Sequence, residues 1–271
     1  MSIPLEDNAL DIIGKAQRGL GISDSQLAEK TGVSQEGIRK LREGDFGGNA
    51  LESAAAILGL NGAALRKLAA GKWNPEAVIA IDGLAQFNTV YDDMAVNAYL
   101  AWDPTTGEAV AFDTGADCSD MLRRIKDEDL NLKLILLTHA HPDHVADLPR
   151  LMATGARVYI SEQEPEEGAE TIAEGQRFNV GSLQIESRLT TGHSPGGMTY
   201  VVTGLVRRIA FVGDSLFAAS MGGGNVSYAD ALRNNREKIL TLPEETIVCP
   251  GHGPMTTVGK EKRDNPFFPN G

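Results

Sequence analysis

The sequence predicts a mixed α/β protein in which a small all-helical domain, residues 1–72, precedes a larger α/β domain, residues 73–271. Apolar residues recur at helical spacing from Leu10 to Ala70, with almost no β-branched runs. After Pro75, short stretches rich in Val, Ile and Tyr alternate with polar helical stretches, which is the pattern of an α/β domain. No apolar run approaches the roughly 20 residues that cross a bilayer, so a membrane protein is excluded.

Five helices are predicted in the first domain, because Gly or Asn punctuates the helical pattern at their junctions. The pattern changes near Trp73, where we place the domain boundary. Later strands are predicted over 133–138, Leu183–Leu189 and Thr246–Cys249. The predicted helices are Ala9–Arg18, Ser25–Lys30, Gln35–Arg42, Ala50–Leu58 and Ala63–Ala69.

The charge of the chain is unevenly distributed. The formal net charge is −12, yet residues 1–72 are neutral, so all of the acidity belongs to the second domain. An acidic surface repels phosphate backbones, which argues against a nucleic acid as the substrate of that domain. The N-terminus lacks the positive charge of a secretory signal, and Cys118 and Cys249 offer no disulfide framework. We therefore expect a cytoplasmic protein.

The stretch DSQLAEKTGVSQEGIRKL resembles the helix-turn-helix of phage-repressor-like (XRE-type) regulators. Ala28 allows two helices to cross closely, Gly32 makes a left-handed turn and Ser34 caps the second helix. The resemblance implies DNA binding through residues 24–43. The neutral charge of the domain keeps a second interpretation open, a helical module for homodimerisation or partner contact. Side chains offered to DNA are Gln35, Arg39, Lys40 and Arg42.

All five histidines lie in motifs that follow predicted strands. THAHPDHVADL contains three of them, TTGHSPGG the fourth and CPGHGP the fifth, and IAFVGDSLF places an aspartate in the same way. Loops that leave the same ends of neighbouring strands converge, so these side chains can meet. Seven candidate metal ligands result: His139, His141, Asp143, His144, His193, Asp214 and His252.

Imidazole and carboxylate ligands suit Zn, Fe, Mn or Co. Seven ligands are too many for one tetrahedral ion and suit two ions that share a bridge. Two ions about 3.5 to 4 Å apart can activate water near pH 7, which is hydrolytic chemistry. The sequence therefore predicts two divalent ions, with Zn first and Fe or Mn as alternatives.

The ordered motifs HAHPDH, GHSPGG, GDSLF and PGHGP resemble the metallo-β-lactamase superfamily, and within it the glyoxalase II-like hydrolases, from about Asn97 to Phe268. The resemblance implies an αββα sandwich with the metals at one edge of the two sheets. It assigns His139, His141 and His193 to the first metal, and Asp143, His144 and His252 to the second. Asp214 would bridge the two ions, and Asp143 and Asp214 would be the catalytic carboxylates. Asp113, in AFDTG, would be a supporting residue.

The substrate is predicted less closely. The loop AASMGGGNVSYADAL lacks the basic side chains of many relatives, and no helical region follows NPFFPNG, which disfavours S-lactoylglutathione. A thioester or another small activated ester is the leading class. Two alternatives stay open: a mononuclear iron enzyme of the persulfide dioxygenase type, and a transcriptional regulator whose metal domain senses a metabolite. The residues expected to contact substrate are Gly223, Gly224, Tyr228 and Lys262.

Overall fold

The computed structural model describes residues 3–76 and 80–269, which form four layers: two six-stranded sheets packed face to face, with helices on both outer faces. This is the αββα arrangement expected of the second domain. The helices are α1 (Ala9–Leu20), α2 (Asp24–Thr31), α3 (Gln35–Arg42), α4 (Ala50–Leu58), α5 (Gly62–Ala69), α6 (Ser119–Asp127), α7 (Pro142–Val145), α8 (Leu148–Met152), α9 (Tyr228–Asn234) and α10 (Val258–Asp264). A π-helical turn, Asn235–Ile239, extends α9.

The first sheet runs in chain order from β1 to β6. Its first three strands are antiparallel neighbours, and the later pairs are parallel. Parallel pairing requires crossovers, and α6 and the α7–α8 segment provide two of the three. The strands are β1 (Leu84–Tyr91), β2 (Met94–Trp102), β3 (Glu108–Phe112), β4 (Asn131–Leu136), β5 (Arg157–Ser161) and β6 (Glu170–Ile172).

The second sheet has the order β12-β11-β10-β9-β8-β7. All neighbours are antiparallel except β10 and β11, whose carboxyl ends therefore lie side by side. That pair carries two of the candidate ligands just beyond its ends. The strands are β7 (Arg177–Val180), β8 (Leu183–Leu189), β9 (Met198–Thr203), β10 (Ile209–Gly213), β11 (Ile247–Pro250) and β12 (Thr256–Thr257).

Alternation along the strands divides the core between the layers, since successive side chains point to opposite faces of a sheet. In β3, Val110 and Phe112 point between the sheets, while Ala109 and Ala111 face the outer helices. Phe112 stacks on Phe211 of β10 with ring centroids 3.7 Å apart. Cys249 is buried in the same core, so it is a small apolar residue there.

The predicted helices of the first domain are all present, with bounds within two residues of those expected. Helix α1 begins at a capping box formed by Asn8 and Asp11 and ends at left-handed Gly21. Leu27, Ala28 and Leu41 are buried where α2 and α3 pack together. Gly32, between these two helices, is left-handed (φ 70°), as the turn requires.

The helical segment covers the outer face of the second sheet. Ile12, Leu51 and Leu65 belong to one hydrophobic cluster with Ala210 and Val212 of β10. The domain boundary at residue 72 stays a prediction. The apolar residues before and after it belong to one continuous hydrophobic cluster. Within residues 3–76 and 80–269, no helix is both long and apolar enough to cross a bilayer.

Candidate metal centre

The seven candidate ligands meet at one edge of the sandwich. They follow the carboxyl ends of β4, β8, β10 and β11, which open at the same edge. Helix α7 begins at Pro142 directly after the β4 loop, so Asp143 and His144 occupy its first turn. The side chains form two groups in which ligand atoms lie within 4.8 Å of one another: His139, His141, His193 and Asp214, and then Asp143, His144 and His252.

Three imidazoles converge in the first group. The Nδ1 atom of His141 lies 2.9 Å from Nε2 of His139 and 3.0 Å from Nε2 of His193. These three nitrogens are close enough to one another to reach one common position. Three imidazole nitrogens in one such group suit a transition-metal ion.

The second group combines two imidazoles with a carboxylate. Oδ2 of Asp143 lies 3.3 Å from Nε2 of His252 and 3.5 Å from Nε2 of His144. Asp214 lies between the groups: its Oδ1 is 3.3 Å from His144 Nε2, and its Oδ2 is 3.3 Å from His193 Nε2 and 3.4 Å from His252 Nε2. One carboxylate therefore faces ligands of both groups, which is the geometry of a bridge.

Three imidazoles are oriented from outside the centre, because each Nδ1–H donates to an acceptor away from the ligands. This leaves Nε2 of each ring as the atom that faces inward, and such contacts fix both the tautomer and the ring orientation of a metal-binding histidine. The pairs are His144 Nδ1 to Asp113 Oδ2 (2.8 Å), His193 Nδ1 to the Gly223 carbonyl (3.0 Å) and His252 Nδ1 to the Ala95 carbonyl (2.7 Å).

Asp113 supports the centre and does not belong to either ligand group. Its carboxylate accepts from the backbone N–H and the hydroxyl of Thr138, both at 2.7 Å, as well as from His144. Its own φ of 58° is left-handed, which aspartate tolerates better than most residues. Because Asp113 takes the Thr138 N–H, β4 ends at Leu136 and not at residue 138 as predicted.

Two buried polar atoms at the centre, Nε2 of His144 and Oδ1 of Asp214, have no hydrogen-bond partner among the described residues. A buried polar atom without a partner is destabilising by about 1–3 kcal/mol. A cation between these atoms would satisfy both. The donor set therefore fits metal ions, and the cluster can bind two of them.

The electrostatics of the centre are consistent with this fit. Burial lowers the pKa of His139 well below its ordinary value and also lowers the pKa of His193, so both rings are neutral at pH 7, the state that binds metal. For His144, burial alone would lower the pKa, but the carboxylates of Asp214 and Asp113 outweigh it and raise the pKa to about 10. These buried carboxylates therefore favour positive charge at this position, whether from a proton or from a metal ion.

The four residues expected to contact substrate lie in different parts of the structure. The Gly223 carbonyl holds His193, and the Gly224 backbone packs closely on Tyr228. The Tyr228 ring lies on the backbone of Gly19 in α1 and is 8% exposed. Lys262 lies half-buried on α10. A substrate role for these four residues stays a prediction.

Residues of the N-terminal segment reach the centre, which the sequence did not indicate. The backbone of Glu6 packs against Gly253, directly after His252. Asp7 and Lys15 form a buried ion pair, and each also contacts the loop that follows Asp214. No local pattern could have identified these contacts, because they join residues more than 200 positions apart.

Glu261 also supports this loop. Its side chain is fully buried and accepts hydrogen bonds from the Ala219 N–H (2.9 Å), the Asn265 amide (2.9 Å) and the Thr256 hydroxyl (2.7 Å). Burial raises the pKa of Glu261 to about 7, although these hydrogen bonds favour the ionised form. The folded protein therefore binds a proton that the unfolded chain releases between pH 4.5 and about 7.

This difference predicts a pH dependence of stability. Proton binding by Glu261 adds to the free energy of unfolding. This contribution, up to about 3 kcal/mol, is fully present below pH 4.5 and is lost as the pH rises through about 7. In Glu261→Gln, the amide oxygen can replace the acceptor and the Thr256 hydroxyl can rotate to accept from the amide. Denaturant unfolding should show the variant gaining stability relative to the parent between pH 5 and pH 7.5. A difference independent of pH would contradict this account.

Taken together, two six-stranded sheets between helical layers and a shared His/Asp centre at their edge define an α/β metalloprotein able to hold two ions. The chain belongs to the metallo-beta-lactamase superfamily, whose family model matches residues 91–252.

Similar proteins include hydroxyacylglutathione hydrolase GloC of Haemophilus influenzae, 30% identical over 64% of this chain and 92% of that protein. Among solved structures, BLEG-1 B3 metallo-beta-lactamase is 30% identical with a TM-score of 0.59, over 68% of this chain and 98% of its own. TTHA1623, solved in a di-iron-bound form, is 28% identical with a TM-score of 0.57, over 67% of this chain and all of its own.

Proposed function

We propose that the protein is a binuclear metal-dependent hydrolase of a thioester or a related small acyl compound. The observation that carries the proposal is the position of Asp214, whose carboxylate faces imidazoles of both ligand groups within 3.4 Å. Bound divalent ions, with Zn as the first choice, supply Lewis acidity and lower the pKa of water towards about 7.

The side chains of this protein have defined roles in that proposal. His139, His141 and His193 would hold the first ion, and His144, His252 and Asp143 the second. Asp214 would hold both ions at a fixed separation. Asp143, with a carboxylate 9% exposed, could orient a water and accept its proton. The outer hydrogen bonds keep Nε2 of His144, His193 and His252 turned inward, as the atom of each ring that can bind metal.

The acyl substrate class is supported by similarity to GloC, described as a hydroxyacylglutathione hydrolase. The glycine-rich loop of this chain offers no lysine or arginine between Asp214 and Tyr228, so it gives no direct partner for a glutathione carboxylate. We therefore propose a small thioester or activated ester other than S-lactoylglutathione.

A substrate panel tests this proposal. Thioesters, lactones and S-lactoylglutathione are offered to protein whose metal content has been measured, and hydrolysis is followed by thiol or acid release. We expect turnover of a small thioester with about two divalent ions per chain. About one iron per chain, together with oxygen consumption on glutathione persulfide, would replace the hydrolase with the mononuclear dioxygenase alternative.

DNA binding through residues 24–43 is a separate proposal, in which α2 and α3 form a helix-turn-helix. Lys40 and Arg42 are exposed on α3, which favours phosphate contact. Arg39 is less available, because Glu36 (2.6 Å) and Glu43 both bind its guanidinium. A mobility-shift assay on the upstream region of its own gene tests the contact. No retardation at low salt would leave the helices as an interaction module, and gel filtration tests the expected homodimer.

A further inference from the structure

The metal centre and the N-terminal helix are joined by a buried ion pair. Lys15 of α1 pairs with Asp7, and their side chains are 14% and 7% exposed. Lys15 Nζ also donates to the Met221 carbonyl at 2.9 Å, and Asp7 accepts from the Ser220 hydroxyl at 2.6 Å. The pair therefore grips two consecutive residues of the glycine-rich loop, defined here as residues 215–227.

The two residues that the ion pair holds, Ser220 and Met221, are followed in the chain by residues that pack on His193, a ligand of the first group. Gly222 follows Met221 and lies so close to the Asp214 carbonyl that an added Cβ would be 1.9 Å from it. The next residue, Gly223, accepts the His193 Nδ1–H at 3.0 Å. The orientation of His193 therefore depends on where the loop backbone is held.

A second connection leads to the other ligand group. Lys15 Nζ lies 5.1 Å from the ring centroid of Phe217, a cation–π distance. The Phe217 ring meets the His252 ring edge-on, with centroids 5.7 Å apart. His252 is also fixed by the Ala95 carbonyl, so it depends on the loop less than His193 does.

The loop needs an external support because of its composition. Three consecutive glycines, Gly222–Gly224, lack a Cβ and therefore have greater backbone freedom than other residues. Next to these glycines, Lys15 donates to the Met221 carbonyl and Asp7 accepts from the Ser220 hydroxyl. A buried pair with additional hydrogen bonds is well suited to fix a backbone in one geometry.

We propose that Lys15, oriented by Asp7, is a positioning residue of the metal centre: it fixes the glycine-rich loop and thereby aims His193 at the first metal. The helical segment is then an integral part of the metal-binding unit. Loss of Lys15 should lower the affinity of the first group for metal by roughly 10-fold, the lower end of the effect of removing a direct outer contact of a ligand, because Lys15 acts on His193 through the loop. The second group should change less.

The test uses the full chain, stripped of metal with a chelator and then titrated with Co²⁺ and with Zn²⁺ against a competing chelator. Lys15→Met and the double variant Asp7→Asn/Lys15→Met are compared with the parent. The double variant leaves no buried unpaired charge and serves if the single variant fails to fold. Lys15→Arg keeps the charge and should recover most of the affinity.

Lys67→Met is the matched control. Lys67 also joins the helical segment to the sandwich, through an ion pair with Asp264 of α10 at 2.9 Å, but it is 58% exposed and does not contact the glycine-rich loop. We expect weaker binding of one Co²⁺ per chain and an altered visible Co²⁺ spectrum only in Lys15→Met and in Asp7→Asn/Lys15→Met. Unchanged affinity and spectrum in both Lys15 variants, or an equal loss in Lys67→Met, would overturn the proposal. These readouts need no substrate, so they are independent of the proposed hydrolase activity.

Discussion

Replacing Asp214 with asparagine is expected to lower the bound metal from two ions per chain to one or fewer, and to reduce hydrolysis by ~10³-fold, equivalent to ~4 kcal/mol of transition-state stabilisation. Asp214 is the one side chain of the seven whose two oxygens face ligands of both groups. An amide presents one oxygen and no charge, so it cannot bridge two cations as a carboxylate does. Metal analysis and thioester turnover measure the two effects.

Asp120→Asn is a suitable control for this variant. Asp120 is an exposed residue of α6 that pairs with Arg123, and its replacement should alter neither metal content nor rate. If Asp214→Asn kept two ions and full activity on every thioester, the bridging role would be wrong.

Gly222→Ala is expected to have the second largest effect. The added Cβ would lie 1.9 Å from the Asp214 carbonyl oxygen and 2.9 Å from His193 Nδ1. Neither neighbour can move freely, since one is backbone and the other is a ring held by the Gly223 carbonyl. The loop must therefore shift, and we expect a loss of first-group metal affinity of at least ~10-fold with a larger loss of turnover.

The control for this substitution is Gly62→Ala, near the start of α5. There the new Cβ would meet only the Ala55 methyl at 3.6 Å, an ordinary contact, and alanine favours the helix. Equal metal binding in Gly222→Ala and the parent would show that the loop does not control the ligand.

The ligand set could be predicted from the sequence because its signals are local. Three histidines and Asp143 lie within six residues, and the remaining ligands each follow a strand that ends in a Gly- or Pro-containing turn. The topology then brings these strand ends to one edge, as parallel pairing of β10 and β11 requires. The structure groups all seven side chains as the resemblance implied, and their assignment as ligands stays a proposal until metal is measured.

Other features could not be predicted, because they depend on contacts between distant parts of the chain. The Tyr228 ring lies against α1 only because Gly19 has no side chain, and no pattern around either residue reveals that pairing. The same holds for Lys15 and Met221, which are 206 positions apart. The difference in charge between the neutral helical segment and the acidic domain indicated two separate units. In the structure, the helical segment and the second sheet share one hydrophobic cluster.

The most direct test of the central claim is a titration of metal-free protein with Zn²⁺, in which bound metal and thioester hydrolysis are measured in the same samples. A centre in which Asp214 serves two ligand groups predicts that activity rises until about two ions are bound per chain and then stays constant. Full hydrolytic activity with a single ion per chain, or no hydrolysis of any thioester with two ions bound, would contradict the account.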